Sequence, residues 1–384
     1  MRLLVLTPVF PPARGGIEIL TARLVEQLAA RFEVAVVALD AAGSAVDDPR
    51  YAVERVPNVP AGGRRSILRL NAAAVARAAR FRPDVVLVMH IKASPAAHLI
   101  RRTLGAPFVQ YLHAKELLET PHLATFAVQG ADRIVGVSRY SRQLALDAGA
   151  DPGRVVVIPN ATDPVRATGT ERDGRPTLIT VSRLVDRYKG HDVVLRALPL
   201  VRERVPDARW IVIGDGPLRQ ELEDSARGHA VEFLGAVDDA TRDEWLDRAT
   251  IFVMPSRHPG PGRAGEGFGI AFLEAAAHGL PVVAGRVPGV VDAVADGESG
   301  LLVDPTSHTE VARAIGDLLT DRALAARMAA AARRRVERFS WPVVAGEVEE
   351  VLRGVASSPH RRRPVGHSLD ARWLLDLVRP PAVT

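Results

Sequence analysis

The 384-residue chain contains no cysteine. That removes disulfides, thiolate nucleophiles and cysteine-ligated metal sites from consideration. No Asp-x-Asp occurs either, so the commonest carboxylate arrangement for a metal-bound diphosphate is missing. A Gly-x4-Gly-Lys-Ser/Thr loop is absent, which excludes a P-loop nucleotidase. The Gly-x-Gly-x-x-Gly turn expected after the first strand of a dinucleotide dehydrogenase is missing, as is the Gly-x-Ser-x-Gly elbow of an α/β-hydrolase. No uncharged apolar run reaches the roughly 20 residues of a membrane span. The opening MRLLVLTPVFPP is short, is broken by Pro8, Pro11 and Pro12, and has no small-residue cleavage site, so it reads as a first strand rather than a signal peptide. These absences lead to the expectation of a cytoplasmic protein.

What is present suits a globular chain of two domains: 47% hydrophobic and 25% charged residues, at roughly 100–200 residues per domain. Charge is divided unevenly. Residues 1–169 carry 21 Lys/Arg against 14 Asp/Glu, a net of +7, and the remainder carries 29 against 31, a net of −2. Between Arg64 and Arg102 nine basic residues (Arg64, Arg65, Arg69, Arg77, Arg80, Arg82, Lys92, Arg101, Arg102) face only Asp84. Such a stretch is a solvated helical face, or it meets an anionic membrane surface or an acidic acceptor. Nucleic acid is excluded as a partner, because no binding motif or aromatic stacking set accompanies the charge.

Short, continuously apolar runs alternate with helical patterns. RLLVLTPVF, EVAVVAL, YAVERVP, DVVLVMH, PFVQYLH, ADRIVGVS and RVVVIPN read as strands, with helices over 17–31, 67–81 and 98–104 and another from Arg139. The polar stretch 168–176 reads as a linker. The alternation then restarts with PTLITVS, RWIVIGDGP, VEFLGAV, IFVMPS, PVVAG and GLLVDP; helices fall between them, at 270–279 among other places, and a long one covers 309–338. Continuous apolar strands separated by helices predict parallel sheets covered on both faces, and in such sheets ligands sit at the carboxyl ends of strands. The expected domains are 1–168 and 169–338, followed by a helix over 339–356. The Pro/Arg-rich tail 357–384 reads as partly disordered, or as carrying a docking or membrane-touching piece at 369–378.

The chemistry concentrates at those strand ends. Glu266 and Glu274 bracket EGFGIAFLE, and between them Gly267-Phe268-Gly269 precedes an apolar helix. Carboxylates hold sugar hydroxyls, and the free N–H groups of a helix start hold phosphate, so nine residues offer both halves of a nucleotide-sugar site. Glu274 lies in an apolar stretch where an unpaired carboxylate is costly, which makes a ribose diol a plausible partner. Arg183 and Lys189 follow the first strand of the second domain, one suited to bidentate contact with a diphosphate and the other to a point charge. Gly214-Asp215-Gly216-Pro217 ends the next strand as either a plain turn or a close approach to ligand. Gly15-Gly16 permits close approach after the first strand. His113 stands at a strand end with Glu116 three residues on.

These motifs together (FPPARGG, Ser182-Arg183-Leu184, Lys189-Gly190, IGDGP and the Glu-x7-Glu segment) resemble the retaining GT-B glycosyltransferases of family 4 over roughly 1–356. GVSRYSR, MPSR and EGFGIAFLEAAAHGLPVVAG are most similar to phosphatidylinositol mannosyltransferases and their actinobacterial relatives. The resemblance implies a GT-B architecture: two Rossmann-like, doubly wound α/β domains with an interdomain cleft. The first domain would bind the acceptor and the second the donor, and the last helix would cross back to the first. It implies diphosphate binding by Arg183, Lys189 and the amides of Phe268, Gly269 and Ile270, ribose binding by Glu274, and sugar hydroxyls on Glu266. Gly16 would approach the diphosphate, His113 the anomeric carbon. Val237, Asp238, Asp239 and Arg242 fall where the family reads the base, weakly favouring a GDP-mannose-like donor. No metal or resident cofactor is implied, and a place at the inner face of the plasma membrane extends the cytoplasmic expectation. The seven-residue insertion 259–265 and the arginine-rich tail depart from the family pattern.

Other functions remain open on residues alone. A non-catalytic nucleotide-sugar binder would not need His113. A phosphorylase-like enzyme would need a pyridoxal-phosphate lysine, and Lys189 is the only lysine of the second domain. A natural-product transferase using a UDP-sugar differs only in substrates.

Overall fold

The computed structural model describes residues 1–13, 15–40, 48–58, 63–163, 174–260, 265–358 and 372–377. Its first compact unit combines Met1–Asn160 with the chain from Trp341 onward, and its second is Ala161–Ser340. The unit boundary falls at 160/161, and most of the linker read at 168–176 lies outside the described residues, as do 261–264 of the insertion and 359–371 of the tail.

In the first unit, β1 (Arg2–Thr7), α1 (Gly16–Ala29), β2 (Glu33–Leu39), β3 (Ala52–Val56), α2 (Arg64–Phe81), β4 (Val85–Val88), α3 (Ser94–Leu104) and β5 (Phe108–Leu112) alternate as the sequence predicts. Two helices the periodicity does not show come next, α4 (Lys115–Glu119) and α5 (Pro121–Gly130). α5 buries Leu123, Ala124, Phe126, Ala127 and Val128, so it lacks the polar face that marks an amphipathic helix. Then come β6 (Arg133–Gly136), α6 (Arg139–Asp147) and β7 (Val155–Val157). The seven strands run parallel in the order β3-β2-β1-β4-β5-β6-β7, and β1, β4 and β5 are fully enclosed apart from Arg2.

The second unit holds β8 (Thr177–Val181), α7 (His191–Arg204), β9 (Arg209–Ile213), α8 (Arg219–Ser225), β10 (Val231–Gly235), α9 (Asp239–Arg248), β11 (Ile251–Met254), α10 (Ile270–Ala277), β12 (Val282–Gly285), α11 (Val290–Ala293) and β13 (Gly300–Val303). Its six parallel strands run β10-β9-β8-β11-β12-β13. The single helix expected over 309–338 is two, α12 (His308–Thr320) and α13 (Arg322–Val336). Asp321 divides them: its backbone leaves the helical region, and its carboxylate accepts the Leu324 N–H at 2.9 Å, an N-cap in the middle of an apolar-periodic run. Both sheets reverse strand order next to the first strand of the unit, which puts the β1 and β4 ends, and the β8 and β11 ends, at the switch points where α/β folds bind ligands.

α14 (Trp341–Ser357) returns to the first unit and packs on α1, β4 and β5 with Val344, Ala345, Val348 and Leu352 inward. Arg31 pairs with its Glu349. The tail also contributes a short helix, α15 (Trp373–Leu377), which packs on α5. Trp373 stacks on Phe126 at 4.4 Å, and Phe126 stacks on His98 at 4.0 Å. Asp376 is buried, and its carboxylate accepts the His122 and Leu123 N–H groups at 2.8 and 3.2 Å, capping α5. Of the alternatives read for this stretch, the described part is docked to the protein by Trp373, Asp376 and Leu377, with Leu374 and Leu375 facing solvent.

Candidate active site

Each unit carries part of the predicted set at the carboxyl ends of its central strands. In the second unit, the loop after β8 holds Arg183 and Lys189. That loop is tied to its neighbour by the Leu184 N–H donating to Asp215 O at 2.9 Å. The approach is close enough to require glycine: Gly214 has φ +135°, and a Cβ there would sit 1.8 Å from Ser182 O. The Gly214-Asp215-Gly216 turn therefore has a packing role.

Lys189 and Glu266 meet at 2.5 Å, with side chains only 15% and 13% exposed. Burial alone would disfavour the ammonium, but the Glu266 carboxylate overrides it and the Lys189 pKa rises above its ordinary value. The Tyr188 ring lies 5.2 Å from the ammonium as a further, π-type partner, and burial pushes its hydroxyl up to about 12. Arg183 is exposed and makes no ion pair among the described residues, so its guanidinium is available.

Phe268 is buried edge-on against Phe339, centroids 5.8 Å apart, and anchors the turn into α10. Gly269 is the N-cap at φ +96°, and a Cβ there would strike the Phe272 ring. With no side chain capping it, the N-terminus of α10 presents its first amides, Ile270 among them, beside Glu266. Glu274 is one turn further along. Its carboxyl has a protein partner that sequence reading did not supply: Arg242 of α9, at 3.6 Å. Burial raises the Glu274 pKa, opposed by Arg242. Arg242 also bonds Asp243 at 2.8 Å and Asp239 at 3.0 Å, while Asp238 is spent as the α9 N-cap on Thr241. Asp239 is exposed and Val237 half-buried at the start of α9. Behind them, His278 is buried between Asp243, 3.7 Å from its Nε2, and Asp247, 2.6 Å from its Nδ1.

In the first unit, Gly16 begins α1 directly after the β1 loop. His113 follows β5. Its backbone N–H donates to Glu116 Oε1 at 2.6 Å, and its Nε2 lies 2.9 Å from Met89 O. A carbonyl only accepts, so Nε2 carries a proton in this contact. The next residue, Ala114, has φ +108°, a strained conformation for a side chain with a Cβ, and holds the turn into α4. His90 and Lys92, on the turn after β4, complete this edge; Lys92 is counted in the basic stretch Arg64–Arg102, and His90 is not singled out by the sequence because it belongs to no recognisable spacing. Among the described residues no group of three His, Asp or Glu could hold a metal ion.

Two family models match the chain, "Glycosyltransferase Family 4" over 14–166 and "Glycosyl transferases group 1" over 175–321. A "GDP-mannose-dependent alpha-(1-6)-phosphatidylinositol monomannoside mannosyltransferase" of Mycolicibacterium smegmatis is 32% identical, over 92% of this chain and 98% of its own. This chain belongs to glycosyltransferase family 4. A "phosphatidyl-myo-inositol mannosyltransferase" of Mycobacterium leprae is 30% identical to this glycosyltransferase over 93% of it and 98% of the relative. The Anabaena HepE structure with UDP and glucose shares its GT-B fold, with a TM-score of 0.75 at 22% identity over 92% of this glycosyltransferase and 100% of that chain. The enzyme is thus a hexosyltransferase that uses a nucleotide-sugar donor.

Proposed function

We propose that the enzyme transfers mannose from GDP-mannose to an inositol-containing phospholipid with retention of configuration. The observation that carries this reading is the near full-length identity to a relative named for that donor and that lipid class. The second unit supports it as the donor half. Arg183, Lys189 and the amides at the start of α10 hold the diphosphate and stabilise the negative charge that grows on it as the glycosidic bond breaks. Lys189 arrives already charged, because Glu266 keeps it so. Glu266 binds the transferred sugar's hydroxyls and Glu274 the ribose diol. The guanine meets Val237, Asp239 and Arg242, where donor and acceptor groups are both on offer.

The first unit serves as the acceptor half, with Gly16 at the diphosphate and His113 at the sugar. The leaving phosphate helps to deprotonate the attacking hydroxyl, which enters on the face the diphosphate leaves. α2 suits a membrane-facing role: Arg65, Leu68 and Arg69 are exposed, Leu68 by 52%, and lie on one helical face. No described helix is long and apolar enough to cross a membrane, so this contact is peripheral, and we place it at the inner face of the plasma membrane.

The test is incubation with GDP-mannose and mixed vesicles of phosphatidylinositol and its monomannoside, with the product mass and its anomeric configuration read by NMR. An α-mannosylated lipid is expected. Transfer from UDP-sugars alone, or a β-linked product, would overturn the donor or the stereochemical assignment respectively.

A further inference from the structure

Lys92 occupies the middle of a single 3-10 turn, Ile91–Ala93, between β4 and α3. The turn packs among β1, β5, α2 and α5, at the same carboxyl edge of the sheet as His113. Its backbone is pinned on both sides. The Lys92 N–H donates to His90 Nδ1 at 3.1 Å, and the Lys92 carbonyl accepts from Asn71 Nδ2 at 3.0 Å. Asn71 Oδ1 in turn accepts the Ala96 N–H at 2.8 Å. The half-buried ammonium, by contrast, makes no hydrogen bond and no ion pair among the described residues. The carboxylate whose field reaches it, Glu119, already pairs with Lys115 at 3.6 Å.

A half-buried cation without a partner is costly, and the cost shows as a Lys92 pKa lowered by burial. Its neighbour His90 offers no compensation: burial first, then the fields of Lys92 and His113, hold His90 neutral with a pKa of about 3. The edge is held rigid at the backbone, and α3 starts two residues on, adding the positive end of its dipole.

We propose that Lys92 is the anion-binding residue of the acceptor half of the site and takes the phosphate group of a phosphorylated acceptor. This rests on the reading of the protein as a transferase to a phosphate-bearing inositol acceptor. The phosphate oxygen fills the coordination that the ammonium lacks, and the acceptor's hydroxyls are thereby held in register with His113 at the next strand end.

The experiment measures mannose transfer by the full chain from GDP-mannose to glycerophosphoinositol and to myo-inositol, which lacks the phosphate, in wild type, Lys92→Met and Lys92→Arg. Wild type should favour the phosphorylated acceptor by roughly 10–100-fold in kcat/KM, the range expected for one charged hydrogen bond. In Lys92→Met the preference should fall to within about threefold through acceptor KM, and Lys92→Arg should retain most of it. A preference that survives in Lys92→Met overturns the assignment and leaves the mannosyltransferase reading intact. So does a preference seen with phosphatidylinositol vesicles and absent with glycerophosphoinositol, since the lipid surface would then supply it. If neither inositol acceptor is mannosylated, the functional reading fails, and the site is judged by calorimetric titration with inorganic phosphate. Binding lost in Lys92→Met supports it, and equal binding in both proteins overturns it.

Discussion

Replacing Lys189 by Met tests the Lys189–Glu266 pair in two ways at once. Both side chains are more than four-fifths buried. Removing one member of a buried pair costs about 3–5 kcal/mol, mainly because the other charge is left alone in a poor dielectric. Residual exposure of Glu266 favours the lower bound, about 3 kcal/mol. For a unit of roughly 180 residues, each kcal/mol moves Tm by about 2–4 °C, so the transition of the C-terminal unit should fall by about 6–12 °C. Glu266→Gln should behave alike, stranding the ammonium. The double variant Lys189→Met/Glu266→Gln buries no charge and should recover about 2 kcal/mol or more relative to the sum of the single losses. Scanning calorimetry without donor reads all four proteins. The raised Lys189 pKa fixes the pH window. Its contribution is complete below the unfolded lysine pKa of about 10.4 and is lost as pH rises through the higher folded value, so the coupling should be flat from pH 6 to 9. Turnover should diverge from stability: kcat falls by about 100- to 1,000-fold in Lys189→Met and stays low in the double variant, because the charge facing the leaving group is gone. Strictly additive stability losses would refute the pairing, and recovery of kcat in the double variant would refute the assigned role of Lys189.

Further outcomes are expected elsewhere. Glu274→Gln removes a carboxyl whose pKa burial has raised; such a group costs stability progressively as pH rises from its unfolded pKa to its higher folded one, and in full above that, so at pH 7 the variant should melt higher while GDP-mannose affinity falls roughly 10- to 100-fold by titration calorimetry. Asp376→Ala should cost about 1–2 kcal/mol and selectively speed hydrogen exchange at the His122 and Leu123 amides, while unchanged exchange there would deny the cap. Arg65→Ala/Arg69→Ala should weaken binding to anionic vesicles about 30-fold at low salt, from about 1 kcal/mol per arginine, with donor affinity untouched; equal sedimentation with vesicles would remove α2 as the contact.

The sheets were legible because parallel strands buried on both faces write unbroken apolar runs, as in DVVLVMH and IFVMPS. The partial burial of Glu266 and Glu274 was legible because both flank a glycine turn at the start of an apolar helix, a context in which solvent exposure is the poorer explanation. α5 escaped because it is buried nearly all round and so loses its period. The break at Asp321 escaped because an aspartate inside an apolar-periodic run looks like one more exposed helix residue until its carboxylate is seen turned back on Leu324. Arg242 had been noted for the base, yet its contact with Glu274 joins residues 32 positions apart across two helices, which no local pattern encodes. Lys92 was legible only as one of nine basic residues in Arg64–Arg102: what distinguishes it from the rest is a missing partner, and a sequence does not show who lacks one.

The return of α14 to the first unit bears on the order in which the protein is made. About 180 residues separate Asn160 from Trp341, and at roughly 5–20 residues per second a ribosome needs roughly 10–40 s to supply them. Throughout that interval the strands of the first unit lack the helix that covers β4 and β5, with Val344, Val348 and Leu352 still to come. The second unit has by then been synthesised in full and can close on its own core. Birth order and folding order therefore run opposite for the two halves, and the half made first waits, apolar face open, for the last stretch of the chain. Nascent-chain proteolysis should find the C-terminal unit protected while the N-terminal one is still cut, and a holdase chaperone on the emerging chain should be released only once residues beyond Ser357 have cleared the exit tunnel.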